Sequence, residues 1–215
     1  MNQFPSDKAR FLLPTPTAYL ELETTAPKDE DLIGRVVIIA HPHPLQGGTM
    51  DNKVVTTLAR TFNDIGLRVV RFNFRGVGES EGSYDDGIGE TDDLVAVFHW
   101  VQKTCLGFEI WLAGFSFGAY VSYRAATLSP CKDVVTQLIS IAPPVQYPGF
   151  HELPAPTMPW LIVQGEDDEV VDANAVFEWA AEFENPPQII RMPETGHFFH
   201  GKLIELKNVL KEVLQ

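Results

Sequence analysis

Continuous apolar runs alternate along the chain with segments of helical period. Residues 36–40, Val-Val-Ile-Ile-Ala, are all apolar and mostly β-branched, which is typical of a strand covered on both faces. Similar runs predict strands at residues 67–74, 110–113, 137–142, 160–163 and 188–192. Between them, apolar residues recur at helical spacing and predict helices at residues 54–65, 94–105, 119–128, 172–183 and 203–214. This alternation predicts an α/β fold, a doubly wound and mostly parallel sheet of about eight strands with helices on both faces.

The amino-terminal part has a different pattern. Two extended segments are expected there, at residues 10–13 and 18–24. The second segment alternates Glu21 and Glu23 with Leu20 and Leu22, a period of two that is typical of a strand with one face in water. The pattern predicts a half-exposed hairpin at the edge of the sheet.

Length and composition favour one domain. A chain of 215 residues with 45% hydrophobic residues can bury one sizeable core, so we expect a single domain over residues 1–215. The proline-rich residues 143–159 are the one candidate linker and are short enough to be a loop.

Charge and cysteine content narrow the partners and the location. A formal net charge of -13 argues against nucleic acid and against an anionic membrane, since both would repel the protein. The start has no basic segment followed by an apolar one, and no stretch approaches about 18 apolar residues. Cys105 and Cys131 fit neither a redox motif nor a zinc site and are expected to be reduced. We therefore expect a cytoplasmic protein with a small-molecule partner, and the oligomeric state is left open.

A Gly-x-Ser-x-Gly pattern marks the first candidate for chemistry. Residues 114–118, Gly-Phe-Ser-Phe-Gly, follow a predicted strand and precede a predicted helix. A serine at such a sharp turn is held out at the edge of the sheet, and the glycines allow neighbouring backbone to approach. The bare pattern also fits an ordinary glycine-rich turn. It predicts a nucleophile, Ser116, only if a base and an acid lie at the same edge.

One histidine has the right position for the base. A serine hydroxyl needs a neutral imidazole to accept its proton. The sequence has six histidines, and His197 lies in a turn between the last strand and the last helix. His99 is expected to pack inside a helix, His151 lies in the proline-rich loop, and His200 is expected at the start of the last helix. These positions favour His197.

The acid is expected directly after the strand at residues 160–163. Asp168 follows Gly165 by three residues and should face the edge of the sheet, with Asp167 as the alternative. Glu166 and Glu169 are expected to be solvated members of the same acidic loop. An aspartate in this place would fix the tautomer of the imidazole. The order along the chain is Ser116, Asp168, His197.

This order, with the serine on the glycine turn, resembles the α/β-hydrolase superfamily. More narrowly, residues 41–53 (HPHPLQGGTMDNK) and 72–82 (FNFRGVGESEG) are similar to signatures of small, lidless bacterial hydrolases related to dienelactone hydrolase. The resemblance covers most of the chain and implies a serine hydrolase without a cofactor. Dienelactone hydrolase itself uses a cysteine nucleophile, where this chain has Ser116, so lactone chemistry is not implied.

The resemblance also implies an oxyanion hole made of two backbone N–H groups. One should belong to Phe117, the residue after the nucleophile. The second should come from the loop after residues 36–40, where Pro42 and Pro44 have no N–H to donate. His43 and Leu45 are the remaining donors, and His43 is preferred by its position relative to similar hydrolases.

Two other patterns in these loops have structural explanations. His41 and His43 could share one face of an extended segment and bind a metal, but no third ligand is indicated, so no metal is expected. The glycine-rich residues 76–82 lack the spacing and the lysine of a phosphate-binding loop. A packed turn anchored by Arg75 is the simpler interpretation.

The interval that holds a cap domain in many similar hydrolases is here only residues 143–159. An uncovered site predicts a serine esterase acting on small soluble esters, with Ser116, His197 and Asp168 as the triad. A thioesterase, a peptidase, or a non-catalytic binding protein on the same fold are the alternatives. The aromatic residues that could line the acyl pocket are Phe115, Phe117, Tyr147, Phe150 and Phe198.

Overall fold

A mixed β-sheet forms the framework of the computed structural model, which describes residues 3–16, 18–27, 34–128 and 130–214. Its strands are β1 Ala9–Pro14, β2 Tyr19–Thr25, β3 Arg35–Ala40, β4 Arg68–Phe72, β5 Glu109–Phe115, β6 Val135–Ile141, β7 Trp160–Gly165 and β8 Gln188–Met192. The helices are α1 Lys53–Asp64, α2 Ile88–Thr104, α3 Phe117–Thr127, α4 Ala173–Ala181 and α5 Leu203–Leu214. Every predicted strand and helix is present. The bounds of β8 and α5 are those predicted, and the other elements begin or end at different residues.

The strands lie in the order β1-β2-β4-β3-β5-β6-β7-β8. From β4 to β8 all neighbours are parallel, whereas β2 is antiparallel to both β1 and β4. The carboxyl ends of the parallel strands therefore meet at one edge, where ligands of such sheets bind. The predicted fold class is confirmed.

Helices cover both faces of the sheet, and this explains the continuous apolar runs. In β3, Val36 and Ile38 face a core shared with α2, α3 and α4. Val37 and Ile39 face the opposite core, which α1 and α5 complete. All four side chains are fully buried. Because both faces of β3 are covered, consecutive positions of this strand are apolar.

The prediction of a half-exposed hairpin was wrong for β2. This strand lies between β1 and β4, and Glu21 and Glu23 are each only 5% exposed. Arg71 of β4 forms an ion pair with Glu23, Asn73 donates to Glu21 at 2.7 Å, and Arg10 of β1 contacts both glutamates. Long side chains from the neighbouring strands cover this polar face, and ion pairing makes the burial tolerable.

No cap domain interrupts the fold within the described ranges. Residues 142–159, between β6 and β7, contain neither a helix nor a strand. Across the part of the chain that the structure describes, no helix has both the length and the apolar character needed to cross a membrane.

A buried histidine ties the ends of β3 and β4 together. His41 is fully buried, its Nδ1 lies 2.6 Å from the Pro42 carbonyl oxygen, and its Nε2 accepts the N–H of Phe74 at 3.0 Å. The ring is therefore the neutral tautomer with a proton on Nδ1. Burial lowers the pKa of His41 to about 4, against the opposing effect of the bond to Pro42. Neutral His41 thus fixes the loop that starts after β3.

This link predicts an acid-sensitive contribution to stability. In the unfolded chain the imidazole has its ordinary pKa of about 6.5, so between that pH and 4 the unfolded state binds a proton that the folded state excludes. From pH 7 to pH 4 the free energy of unfolding should fall by about 3 kcal/mol more in the wild type than in His41→Gln. Urea unfolding at both pH values measures this difference.

His151→Gln is the matched control, because His151 is exposed. It should follow the wild type at both pH values. Equal losses of stability in His41→Gln and the wild type would contradict the assignment of a buried neutral ring.

Candidate active site

Ser116 occupies a strained turn between β5 and α3. Its φ and ψ are 54° and -122°, in a region that L-residues rarely adopt. A Cβ on Gly114 would lie 2.1 Å from the Gly118 carbonyl oxygen, and a Cβ on Gly118 would lie 2.3 Å from that of Ala40. Only glycine fits at either position. The turn leaves Ser116 partly exposed at the carboxyl edge of the sheet.

The structure brings three of the predicted site residues into one line. His197, in the turn after β8, places Nε2 3.0 Å from Ser116 Oγ. Its Nδ1 lies 2.8 Å from Oδ2 and 3.1 Å from Oδ1 of Asp168, in the turn after β7. Asp167 is exposed, and its backbone N–H donates to the Thr195 carbonyl. Asp168, rather than Asp167, therefore contacts the histidine.

The carboxylate of Asp168 is buried and fully hydrogen-bonded. Its side chain is 0% exposed, and besides His197 it accepts from Val170 N at 2.9 Å, Val171 N at 2.8 Å and Gln164 Nε2 at 3.0 Å. Burial alone would raise the pKa of Asp168, but the bonds from His197, Val171 and Val170 outweigh it and lower the pKa. The group is a stable anion facing the imidazole.

Glu169 was expected to be a solvated acid, and the structure gives it a specific contact. Its Oε2 accepts the backbone N–H of His197 at 3.0 Å. The carboxylate can approach because residue 196 is glycine, where a Cβ would lie 2.7 Å from Glu169 Oε2. This hydrogen bond lowers the pKa of Glu169. The Gly196-His197 pair was the only sign of this contact in the sequence.

Gln164, whose Nε2 donates to Asp168, is a second residue of the site that the sequence did not reveal. It is the penultimate residue of β7 and is fully buried. A polar side chain in an apolar strand, immediately before the glycine turn that carries the acid, is the signal that could have revealed it.

The other histidines lie away from this line. His151 and His200 are exposed, and so is His99, which was expected to be packed. His99 lies on the outer face of α2, where its Nδ1 is 3.2 Å from Gln102 Oε1. Its apolar neighbours in sequence, Phe98 and Trp100, point inward.

The two candidate second donors of the oxyanion loop differ in what surrounds them. Leu45 is 71% exposed, and its N–H donates to His43 Nδ1 at 3.2 Å. The backbone N–H groups of His43 and Phe117 have no hydrogen-bond acceptor among the described residues. This arrangement favours His43 over Leu45.

The remaining loop features have structural partners. Both ring nitrogens of His41 are engaged within the protein, and the described ranges contain no cluster of three or more potential metal ligands. The glycine-rich turn is anchored as expected, because Asp93 accepts both the backbone N–H of Arg75 at 2.9 Å and its guanidinium at 2.8 Å.

The five aromatic residues proposed as an acyl pocket do not form one group. Phe115 and Phe150 are fully buried, and Phe150 packs in the core against Tyr123 and Trp179. Phe115 lies beneath His197, with ring centroids 5.1 Å apart. Phe198 is 44% exposed beside His197. Only Phe117 and Tyr147 pack against each other, at 5.5 Å.

Comparison with known proteins identifies the family to which this fold belongs. Residues 45–149 match the family model of the α/β hydrolase fold. An α/β serine hydrolase homologue from Coxiella burnetii is 48% identical, with a TM-score of 0.93 over 99% of this chain and 100% of that one. An α/β serine hydrolase without lid from Xanthomonas campestris is 44% identical, with a TM-score of 0.91 over 98% of this chain and 94% of that one.

A dienelactone hydrolase from Anabaena variabilis shares the fold at 16% identity, with a TM-score of 0.78 over 96% of this chain and 95% of that one. The two closer structures cover nearly the whole chain at more than 40% identity. The chain therefore belongs to the α/β-hydrolase superfamily and is a hydrolase of the form without a cap.

Proposed function

We propose that this hydrolase is a serine esterase that cleaves small carboxylic esters through an acyl-enzyme intermediate. The observation that carries the proposal is the continuous line from Ser116 Oγ to His197 Nε2, at 3.0 Å, and from His197 Nδ1 to Asp168 Oδ2, at 2.8 Å. A hydroxyl, an imidazole and a carboxylate in this arrangement can generate and stabilise a nucleophile at neutral pH.

In the first step Ser116 Oγ attacks the ester carbonyl carbon while its proton moves to His197 Nε2. The ionised Asp168 keeps the other proton of the ring on Nδ1 and stabilises the imidazolium that forms. The tetrahedral intermediate then collapses, and the alcohol leaves with the proton from Nε2. Water attacks the acyl-enzyme with His197 again accepting a proton, and the carboxylic acid and free Ser116 result.

The negative charge on the carbonyl oxygen needs two donors. We assign them to the N–H groups of Phe117 and His43. Phe117 begins α3, so the partial positive charge of the helix amino terminus adds to its donor. The loop that carries His43 is supported from below by buried His41.

The proposal also covers the size of the substrate, the location of the protein and its domain organisation. The short loop at residues 142–159 leaves Ser116 partly exposed, which supports small, dispersed esters as substrates. Both cysteines are free and buried, which supports the reducing cytoplasm as the location of the protein, and we infer one domain over its 215 residues.

The nucleophile is tested by labelling with a fluorophosphonate probe, which phosphonylates activated serines. The wild type should be labelled, and Ser116→Ala should lose both labelling and at least about 10⁴-fold in kcat for p-nitrophenyl butyrate. Ser83→Ala, at an exposed serine, should behave as the wild type. An unlabelled wild type, or labelling that survives in Ser116→Ala, would refute the proposal.

The oxyanion loop is tested at two adjacent glycines. A Cβ on Gly48 would lie 2.0 Å from the Pro42 carbonyl oxygen, so Gly48→Ala must displace the backbone that precedes His43. We expect kcat to fall by about 10²-fold with KM nearly unchanged, as for the loss of one oxyanion donor.

Gly47→Ala is the control, because a Cβ on Gly47 meets nothing within 4 Å. Its φ of 78° makes alanine unfavourable there, so this variant should lose about 1 kcal/mol of stability and keep its kcat. An equal loss of kcat in both variants would count against the oxyanion assignment.

The support of the acid is tested at Gln164. Gln164→Met keeps the volume of the side chain but removes one of the donors to Asp168, and kcat/KM should fall by about tenfold, the cost of one hydrogen bond to a charged group. Gln164→Glu should lose more, because it places a second carboxylate against the first. Steady-state kinetics at pH 8 measure both, with Glu166→Gln, an exposed residue of the same turn, as a control that should match the wild type.

A further inference from the structure

A chain of three polar side chains runs beside the oxyanion loop and has no part in the steps above. His43 Nε2 lies 3.2 Å from Tyr84 Oη, and Tyr84 Oη lies 2.8 Å from Tyr147 Oη. The three residues come from the loops after β3, β4 and β6, which meet at the carboxyl edge of the sheet. We call this set the tyrosine relay.

The hydrogen bonds of the relay have one consistent direction. His43 Nδ1 accepts the N–H of Leu45 at 3.2 Å, so the proton of the neutral ring is on Nε2. Nε2–H therefore donates to Tyr84, and the Tyr84 hydroxyl donates to Tyr147. In the part of the chain that the structure describes, the hydroxyl proton of Tyr147 has no acceptor of its own. The relay ends in a free donor.

This donor lies next to the nucleophile turn. The ring of Phe117, the residue after Ser116, has centroid distances of 4.9 Å to His43, 5.9 Å to Tyr84 and 5.5 Å to Tyr147. Tyr147 is also packed against Tyr120 at 4.6 Å, which fixes the plane of its ring. Both relay tyrosines are half-buried, so neither side chain is enclosed in the core.

The surroundings of the relay decide the charge of what it can bind. Burial raises the pKa of Tyr147, and the nearby carboxylates Asp86 and Glu90 raise it further, although the bond from Tyr84 acts against this. The hydroxyl therefore stays protonated near neutral pH. The same carboxylates would repel an anion. The fitting partner is an uncharged oxygen.

We propose that Tyr147 Oη donates a hydrogen bond to an uncharged ether, hydroxyl or carbonyl oxygen in the acyl part of the ester, and that the relay from His43 through Tyr84 orients it. The acyl part is assigned because the alcohol must leave towards His197 Nε2, whereas the relay surrounds Phe117 and His43. This inference rests on the proposed esterase activity. It makes Tyr147 a specificity-determining residue for oxygen-bearing acyl groups.

The test compares pairs of p-nitrophenyl esters in which an ether oxygen replaces one methylene. Methoxyacetate is paired with butyrate, methoxypropionate with pentanoate, and methoxybutyrate with hexanoate, so the oxygen is placed at three distances from the carbonyl. For each pair, the ratio of kcat/KM values gives the preference for oxygen and cancels differences in enzyme concentration. Tyr147→Phe should lower this ratio by about fivefold in at least one pair, the effect of one neutral hydrogen bond.

Tyr120→Phe is the matched control, because it removes a hydroxyl from the same aromatic cluster, keeps the ring that packs on Tyr147, and leaves both hydrogen bonds of the relay in place. It should leave all three ratios as in the wild type. Ratios that do not change in Tyr147→Phe, or that fall equally in Tyr120→Phe, would overturn the proposal while the enzyme remains active. Failure of the esterase proposal is a separate result, since the wild type would then remain unlabelled by the fluorophosphonate probe, or labelling would survive in Ser116→Ala.

Discussion

The candidate site depends on close contacts between backbone segments at the turn after β5. Gly114 lies against the carbonyl of Gly118, and Gly118 lies against that of Ala40. The end of β3 is thereby held against the first turn of α3, so the loop after β3 and the amino terminus of α3 flank the same serine. A second contact of this kind, where a Cβ on Gly165 would lie 2.2 Å from the Thr195 carbonyl oxygen, joins the turns that carry Asp168 and His197. A side chain at any of these points would force apart the backbone segments that carry Ser116, Asp168 and His197.

The second constraint is the burial of charge at the carboxyl edge. A carboxylate without exposure costs several kcal/mol unless donors replace its water. Asp168 has two backbone donors, one amide donor and the imidazole. Glu169 Oε2 accepts the backbone N–H of His197. His197 is therefore held at two points, its ring Nδ1 and its main chain. The pKa values of Asp168 and Glu169 are both lowered by hydrogen bonds within these turns.

Glu90 is another buried carboxylate whose lost water is replaced by hydrogen-bond donors. Glu90 is fully buried, and its carboxylate accepts the N–H of Gly87 at 2.7 Å and of Asp85 at 3.0 Å. These bonds begin α2 at Ile88, several residues before the helical pattern of apolar side chains starts. The same bonds fix the loop that carries Tyr84. Glu90 therefore both stabilises the start of α2 and helps to position a residue of the proposed substrate site.

The sequence by itself determined the alternation of strands and helices, the faces of β3, the strand-turn-helix around Ser116 and the order of serine, aspartate and histidine along the chain. These features are local or follow from the rule that parallel strands end at one edge, so hydrophobic period and glycine spacing suffice to predict them. Only the tertiary structure decided that β2 is covered, that Asp168 rather than Asp167 meets His197, that Leu45 donates within its own loop, and that Gln164, Glu169 and the tyrosine relay surround the site. Each of these depends on which distant side chain fills a given space, and the pattern of neighbouring residues along the chain does not encode that.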